Sequence, residues 1–201
     1  MCALCDSGTG SPRFEDTLNR INEPPWDKDV SRFHATPTKA VKTTRGIEFG
    51  IRPYSQSDHG AVLKLLSILP LLYPEGDLWL ESRLQDASRG KARCMIADTR
   101  RWGPVGITIE TPKGPRKVKL STIFVSPRFR ELGIGTALLQ RCREHWRSKK
   151  LRNVYVTADT NSASELLPLI SRYGFKLIAT EFNRYGPDRH EMVLSWVPNK
   201  K

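Results

Sequence analysis

The spacing of apolar and polar positions changes period repeatedly along this 201-residue chain, and each change marks an element. Ile47, Phe49 and Ile51 alternate with polar neighbours, the period-two pattern of a half-buried strand, and Pro53 ends it. Val62, Leu65, Leu66 and Leu69 then recur at helical spacing, which predicts a helix with Ser57 as its N-cap. A second helix is predicted over 75–88, carried by Leu78, Leu80 and Leu84 and closed by Gly90. Two strand-like runs, "ARCMIAD" and "PVGITIET", follow on either side of "TRRWG", and Pro112 to Pro115 read as a turn. "RKVKLSTIFVS" is the longest strand candidate, with Val118, Leu120, Thr122 and Phe124 on one face. Next comes a helix in which Leu138, Cys142 and Trp146 repeat every four residues. "RNVYVTA" is a short strand rich in β-branched residues, and "SASELLPLISRY" is helical, with Pro168 expected to kink or shorten it. "GFKLIATEF" and "HEMVLSWV" are the last strands. The order βααβββαβαββ predicts an α/β fold, a sheet with helices on both faces.

Residues 1–46 lack a sustained apolar period. They mix Ser, Thr, Pro and balanced charge, which predicts a polar, flexible extension before a domain at 47–198. Within the extension, Leu18 and Ile21 suit a short helix, and Trp26 suits docking on the domain.

Charge sharpens the division. The net charge is +12, and residues 1–46 hold seven Lys/Arg against six acids, so +11 falls on residues 47–201. A basic domain suits an anionic ligand, a nucleotide cofactor or a nucleic acid, and part of the excess suits solubility alone. The first residues lack a basic start and a long apolar run, and no stretch approaches the roughly 18 apolar residues of a membrane span. The expected location is cytoplasmic, with no membrane partner. The four cysteines, Cys2, Cys5, Cys94 and Cys142, are too few for a disulfide scaffold. Cys2 and Cys5 form a lone C-x-x-C with no second ligand pair nearby, so no metal is expected.

The informative stretch is "SPRFRELGIGTALLQRCREHW", Ser126 to Trp146. A strand runs through a turn into a helix, and Gly133 and Gly135 stand where the helix begins. A glycine within a helix costs roughly 1 kcal/mol relative to alanine. A helix N-terminus offers amides without internal partners and roughly half a positive charge, so it attracts anions. Glycines there let a phosphate approach bare backbone. They also suit a strand–helix turn that needs glycine only for packing. Neither G-x-x-x-x-G-K-[ST] nor G-x-G-x-x-G fits, because Leu138 occupies the third glycine's place.

"VSPRFRELGIGTALL" resembles motif A of the GNAT superfamily, the Gcn5-related N-acetyltransferases, whose pattern is [RQ]-x-x-G-x-[GA] after a strand ending V-x-P. Here the matching residues are Arg130, Gly133 and Gly135, after Val125 and Pro127. "IEFGIRPYSQSDHGAVLKLL" resembles the family's first strand and helix, and "SRYGFKLIAT" its late helix–Gly-Phe–strand segment. The resemblance covers 47–198. It implies a GNAT fold with a mixed, mostly antiparallel central sheet, and acetyl-CoA as co-substrate. It also implies that the amides of Arg130, Glu131, Leu132, Gly133, Ile134, Gly135 and Thr136 hold the pyrophosphate. Ile123, Phe124 and Val125 would pair with the pantetheine arm, where their strand splays from "RNVYVTA". Thr136 is expected either to add a hydroxyl to a phosphate or to lie exposed in the first turn. Arg130 is expected either to pair with phosphates or to fix the turn.

Acetyl transfer to an amine needs a neutral nucleophile, a polarised thioester and a proton for the leaving thiolate. Many relatives carry a base glutamate on the strand equivalent to "VKLSTIFV", which here offers Lys119, Ser121 and Thr122 and no acid. Many also carry an acid tyrosine four residues before Gly-Phe, where this chain has Ile170, while Tyr173 is displaced beside Gly174. The catalytic residues are therefore unassigned. Glu110, Tyr155, Asp159 and Glu181 are candidate substitutes, each also suited to a solvated or structural role. Arg184 and Tyr185 lie where the family's substrate loop is often found. Three functions follow: N-acetyltransfer to a primary amine of a small molecule or macromolecule, acetyltransfer to nucleic acid or aminoacyl-tRNA, or a non-catalytic module binding CoA or a partner.

Overall fold

The computed structural model describes residues 40–42, 46–161, 163–184 and 186–197. Cys2, Cys5, Leu18, Ile21, Trp26 and Tyr185 lie outside them. Eight strands form one sheet: β1 (Ala40–Lys42), β2 (Glu48–Pro53), β3 (Arg93–Thr99), β4 (Gly103–Gly114), β5 (Lys117–Val125), β6 (Asn153–Asp159), β7 (Phe175–Glu181) and β8 (Glu191–Trp196). Their order is β1-β2-β3-β4-β5-β6-β8-β7, antiparallel throughout except for β5 beside β6. The helices are α1 (His59–Leu65), α2 (Leu69–Leu72), α3 (Gly76–Ser88), α4 (Ile134–Ser148) and α5 (Ala163–Arg172).

The helices cover both faces of the sheet, as the apolar spacing predicts. On one face Val62, Leu66, Leu80 and Leu84 pack on Cys94, Ile96, Ile107 and Ile109. On the other, Leu139, Cys142, Trp146 and Ile170 pack on Leu120, Val154, Val156 and Leu194. Trp146 meets Phe175 edge-on, with ring centroids 5.7 Å apart, and lies 5.3 Å from Trp196. Burying each such side chain stabilises the fold by about 2–3 kcal/mol.

The structure corrects several sequence expectations. Residues 40–42, placed in the extension, form β1 and pair with 48–50, so the sheet begins before residue 47. The cap is Ser55 rather than Ser57: Ser55 and Asp58 form a capping box around a 3₁₀ turn, Gln56–Asp58, that leads into α1. Asp58 is fixed there by Arg52, whose guanidinium grips its two oxygens at 2.7 Å each. Leu78, expected to face the core, points outward from α3. Pro112 and Gly114 belong to β4 rather than to a turn. Pro168 lies inside α5, which continues through it. The single face expected for Val118, Leu120, Thr122 and Phe124 is broken by a bulge. Thr122 opposes Ile109 and Leu120 opposes Glu110, which leaves Ser121 as the extra residue. Leu120 therefore packs under α4, while Phe124 packs with Ile107 on the other face.

Candidate active site

β5 and β6 pair only over Lys117–Lys119 and Asn153–Tyr155. Beyond that point β5 keeps β4 on one side, β6 keeps β8 on the other, and nothing joins them to each other. Among the described residues the edge of β5 from Leu120 to Val125 thus has no paired strand and borders a gap, with only the Val125 carbonyl there taken, by Arg130. Ile123, Phe124 and Val125 lie on this edge, half-buried.

The turn after β5 passes through a 3₁₀ segment, Pro127–Phe129, then Arg130, and enters α4. Glu131 (φ 60°) and Gly133 (φ 82°) are both left-handed. Leu132 and Ile134 are buried side chains that pin the turn to the core, so only their backbone faces outward. The Arg130 amide, expected to face the pyrophosphate, instead donates to the Pro127 carbonyl at 3.2 Å; among the described residues no acceptor takes the amides from Glu131 to Thr136, whereas the Ala137 amide bonds the Gly133 carbonyl at 3.0 Å. Left-handed residues among successive free amides at a helix N-terminus make a concavity suited to an anion.

The two glycines serve different needs. Gly133 requires its positive φ, and a Cβ there would meet nothing within 4 Å. Gly135 has ordinary helical geometry, but a Cβ would lie 3.2 Å from Leu169 Cδ2 and 3.6 Å from Val125 Cγ2. Gly133 is therefore conformational, and Gly135 lets α5 approach α4. Arg130 fixes the turn: Nε donates to the Val125 carbonyl at 3.2 Å, and Nη1 pairs with Glu165 of α5 at 2.8 Å.

Beyond this turn lies a groove of about 500 Å³ lined by Thr136, Gln140, Arg143, Glu144, Arg147, Arg172 and Tyr173. Thr136 is exposed, and its carbonyl accepts the Tyr173 hydroxyl at 3.3 Å. The Arg143 guanidinium lies 5.3 Å from the centre of the Tyr173 ring. Tyr173 therefore serves the α4–α5 side of the sheet, away from the opposite face of the gap. These arginines carry no motif in the sequence, because Arg143 and Arg172 are far apart in the chain and meet only when α5 packs beside α4.

The candidate acid–base residues separate into two groups. Glu110 lies under α4, 2 % exposed, with its carboxylate taken by Trp146 Nε1 and Arg93 Nη1. Both oxygens are thus engaged, and Glu110 lies on the α4 face of the sheet, apart from Tyr155 and Asp159. Tyr155 and Asp159 share the opposite face, the one not covered by α4 and α5. Tyr155 is half-buried, with Lys117 Nζ 5.3 Å from its ring centre, and Asp159 Oδ1 accepts the Asn161 amide at 2.8 Å. Register places Glu191 beside Asp159, and Glu181 beside Glu191. Glu181 is paired with Arg184. On β5 of the same face, burial pushes the Lys119 amine below its ordinary value, against the opposing pull of Glu191.

This arrangement of gap, turn and helix matches a known family. A family model described as an acetyltransferase (GNAT) domain matches residues 82–196, more than half the chain. The chain belongs to the GNAT acetyltransferase family. Among solved structures, this GNAT domain is similar to Ard1 from Thermoplasma volcanium, with 19% identity, covering 75% of this chain and 99% of that one at a TM-score of 0.62. It is similar to Arabidopsis thaliana NAA60 in complex with a bisubstrate analogue, with 16% identity, coverage of 76% and 99%, and a TM-score of 0.62. It is also similar to a GNAT family acetyltransferase from Elizabethkingia anophelis with acetyl-CoA bound, at 16% identity, coverage of 75% and 98%, and a TM-score of 0.58. At these identities the likeness is one of fold. No curated relative matches the chain. Among the described residues no helix is long and apolar enough to cross a membrane.

Proposed function

We propose that this GNAT domain transfers the acetyl group of acetyl-CoA to a primary amine by direct attack. The observation that carries this reading is the free edge of β5 running straight into a helix N-terminus with unused amides. The edge suits the amide-bearing pantetheine arm, which pairs as a strand would. The amides of Glu131 to Thr136 suit the pyrophosphate. Arg143, Arg147 and Arg172 suit the remaining phosphate, and this assigns part of the basic excess to the cofactor. The acceptor then comes from the opposite face, past Lys119, Tyr155 and Asp159, and the two substrates meet in the gap. Holding amine and thioester in contact removes the need for a covalent enzyme intermediate.

Calorimetric titration with acetyl-CoA tests this. Arg143→Ala combined with Arg172→Ala should raise Kd about tenfold and flatten its salt dependence. Unchanged affinity would remove the groove from the site, and no binding by the parent chain would overturn the reading. Labelled acetyl-CoA offered to small amines, peptides and nucleic acids then identifies the acceptor, and label on nucleic acid alone would exclude the small-amine acceptor.

A further inference from the structure

We propose that Glu191 is the group that receives the acceptor's ammonium and takes its proton. The proposal rests on the acetyl-transfer reading above. Glu191 opens β8 and is 2 % exposed, yet among the described residues no donor gives its Oε2 a hydrogen bond. Arg184 Nε makes a long ion pair with this oxygen at 3.8 Å, beyond hydrogen-bond reach. Arg184 also pairs with Glu181. A buried carboxylate oxygen without a donor is costly unless a water or a ligand completes it.

Its position suits the task. Met192, Leu194 and Trp196 face the α4–α5 core, so Glu191, Val193 and Ser195 face the other way. That is the face of Tyr155, Thr157 and Asp159 on β6, which border the gap and pair directly with Ser195, Val193 and Glu191. The charged groups facing Glu191 come from each surrounding element: Asp159 from β6, Glu181 from β7, Arg184 from the β7–β8 loop and Lys119 from β5. Register puts Lys119, Glu191 and Glu181 on one face of the sheet, and both carboxylates pull on the Lys119 amine. Arg189 holds the β7–β8 loop over this space by donating to the Leu72 carbonyl of α2. Among the described residues no group of His, Cys, Asp and Glu is disposed to hold a metal ion, so a cation completing Glu191 is better supplied by the substrate.

The step balances without a further reactant. The acceptor arrives as an ammonium, and one N–H proton passes to Glu191 Oε2. The freed lone pair forms a C–N bond to the thioester carbonyl carbon. The C–S bond breaks, and its electrons leave on sulfur. A second proton passes from nitrogen to the thiolate, and Glu191 releases its proton to solvent. The products are an acetamide, free CoA thiol and one proton.

The test compares two nucleophiles at saturating acetyl-CoA. Butylamine is carried as an ammonium at neutral pH and needs a base; hydroxylamine is uncharged there and needs none. Glu191→Gln should lower butylamine transfer by about 100-fold or more while hydroxylamine transfer stays within a few-fold. Glu191→Asp should recover part of the butylamine rate. The acid limb of the butylamine kcat/KM profile should be present in the parent and lost in the glutamine variant. Thermal melting should show Glu191→Gln as stable as the parent or more so. An equal fall for both nucleophiles, no fall for either, or a parent that acetylates hydroxylamine alone would overturn the proposal. A parent chain that neither binds acetyl-CoA nor acetylates hydroxylamine would overturn the acetyl-transfer reading itself.

Discussion

Glu110 and Glu191 are equally buried, each 2 % exposed, and they lie on opposite faces of one sheet. Glu110 is spent on Trp146 and Arg93, and it ties β3, β4 and α4 together. Glu191 leaves an oxygen without a donor beside the gap between β5 and β6. Depth of burial therefore does not separate a carboxylate whose oxygens are taken from one proposed to meet a substrate. The partners do. A satisfied buried charge holds a fold, whereas an unsatisfied one costs stability unless something arrives to complete it.

The sharpest break between the two lies in their effect on stability. Glu110→Gln leaves Arg93 facing a neutral amide beneath α4 and should cost about 2 kcal/mol in urea unfolding. The same exchange at Glu191 should cost nothing, and equal losses at the two positions would erase the distinction. A similar or slightly smaller loss is expected from Gly135→Val, because the added carbons meet Leu169 and Val125. Overpacking of this kind costs about 1–3 kcal/mol, and a far-UV and thermal melt would show it as loosening of α4 against α5. A stable Gly135→Val protein that fails to bind acetyl-CoA would instead assign this glycine to the ligand. The smallest effect concerns Lys119. Burial lowers the pKa of its amine in the folded chain, so the folded state disfavours the charge below that pKa and the penalty fades as pH rises through it. Lys119→Met should therefore raise Tm slightly at neutral pH, and the gain should shrink in alkaline buffer. A loss of stability there would mean that Lys119 is held by Glu191 as a true ion pair.

Much of the fold was legible in the apolar spacing. Leu138, Cys142 and Trp146 set the buried face of α4, and Phe49 with Ile47 and Ile51 sets that of β2, because period alone fixes which side meets the core. The turn at Gly133 was legible too, since a strand, a left-handed glycine and a helix start are local events. The bulge at Ser121 was not, because it depends on how β4 and β5 pair, and it reverses the faces of Leu120 and Phe124. Glu110 drew attention as a lone acid on a strand beside the expected site, and only the packing of Trp146 shows that its oxygens are taken. Glu191 carried no motif, and it gains meaning from Asp159 on one neighbouring strand and Glu181 on the other. The sequence by itself determined the family and the strand–turn–helix proposed to hold an anion, because both are written in consecutive residues. The tertiary structure alone decided which carboxylate, among the described residues, keeps an oxygen without a hydrogen bond, because hydrogen-bond partners of a buried charge come from strands and helices far apart in the chain.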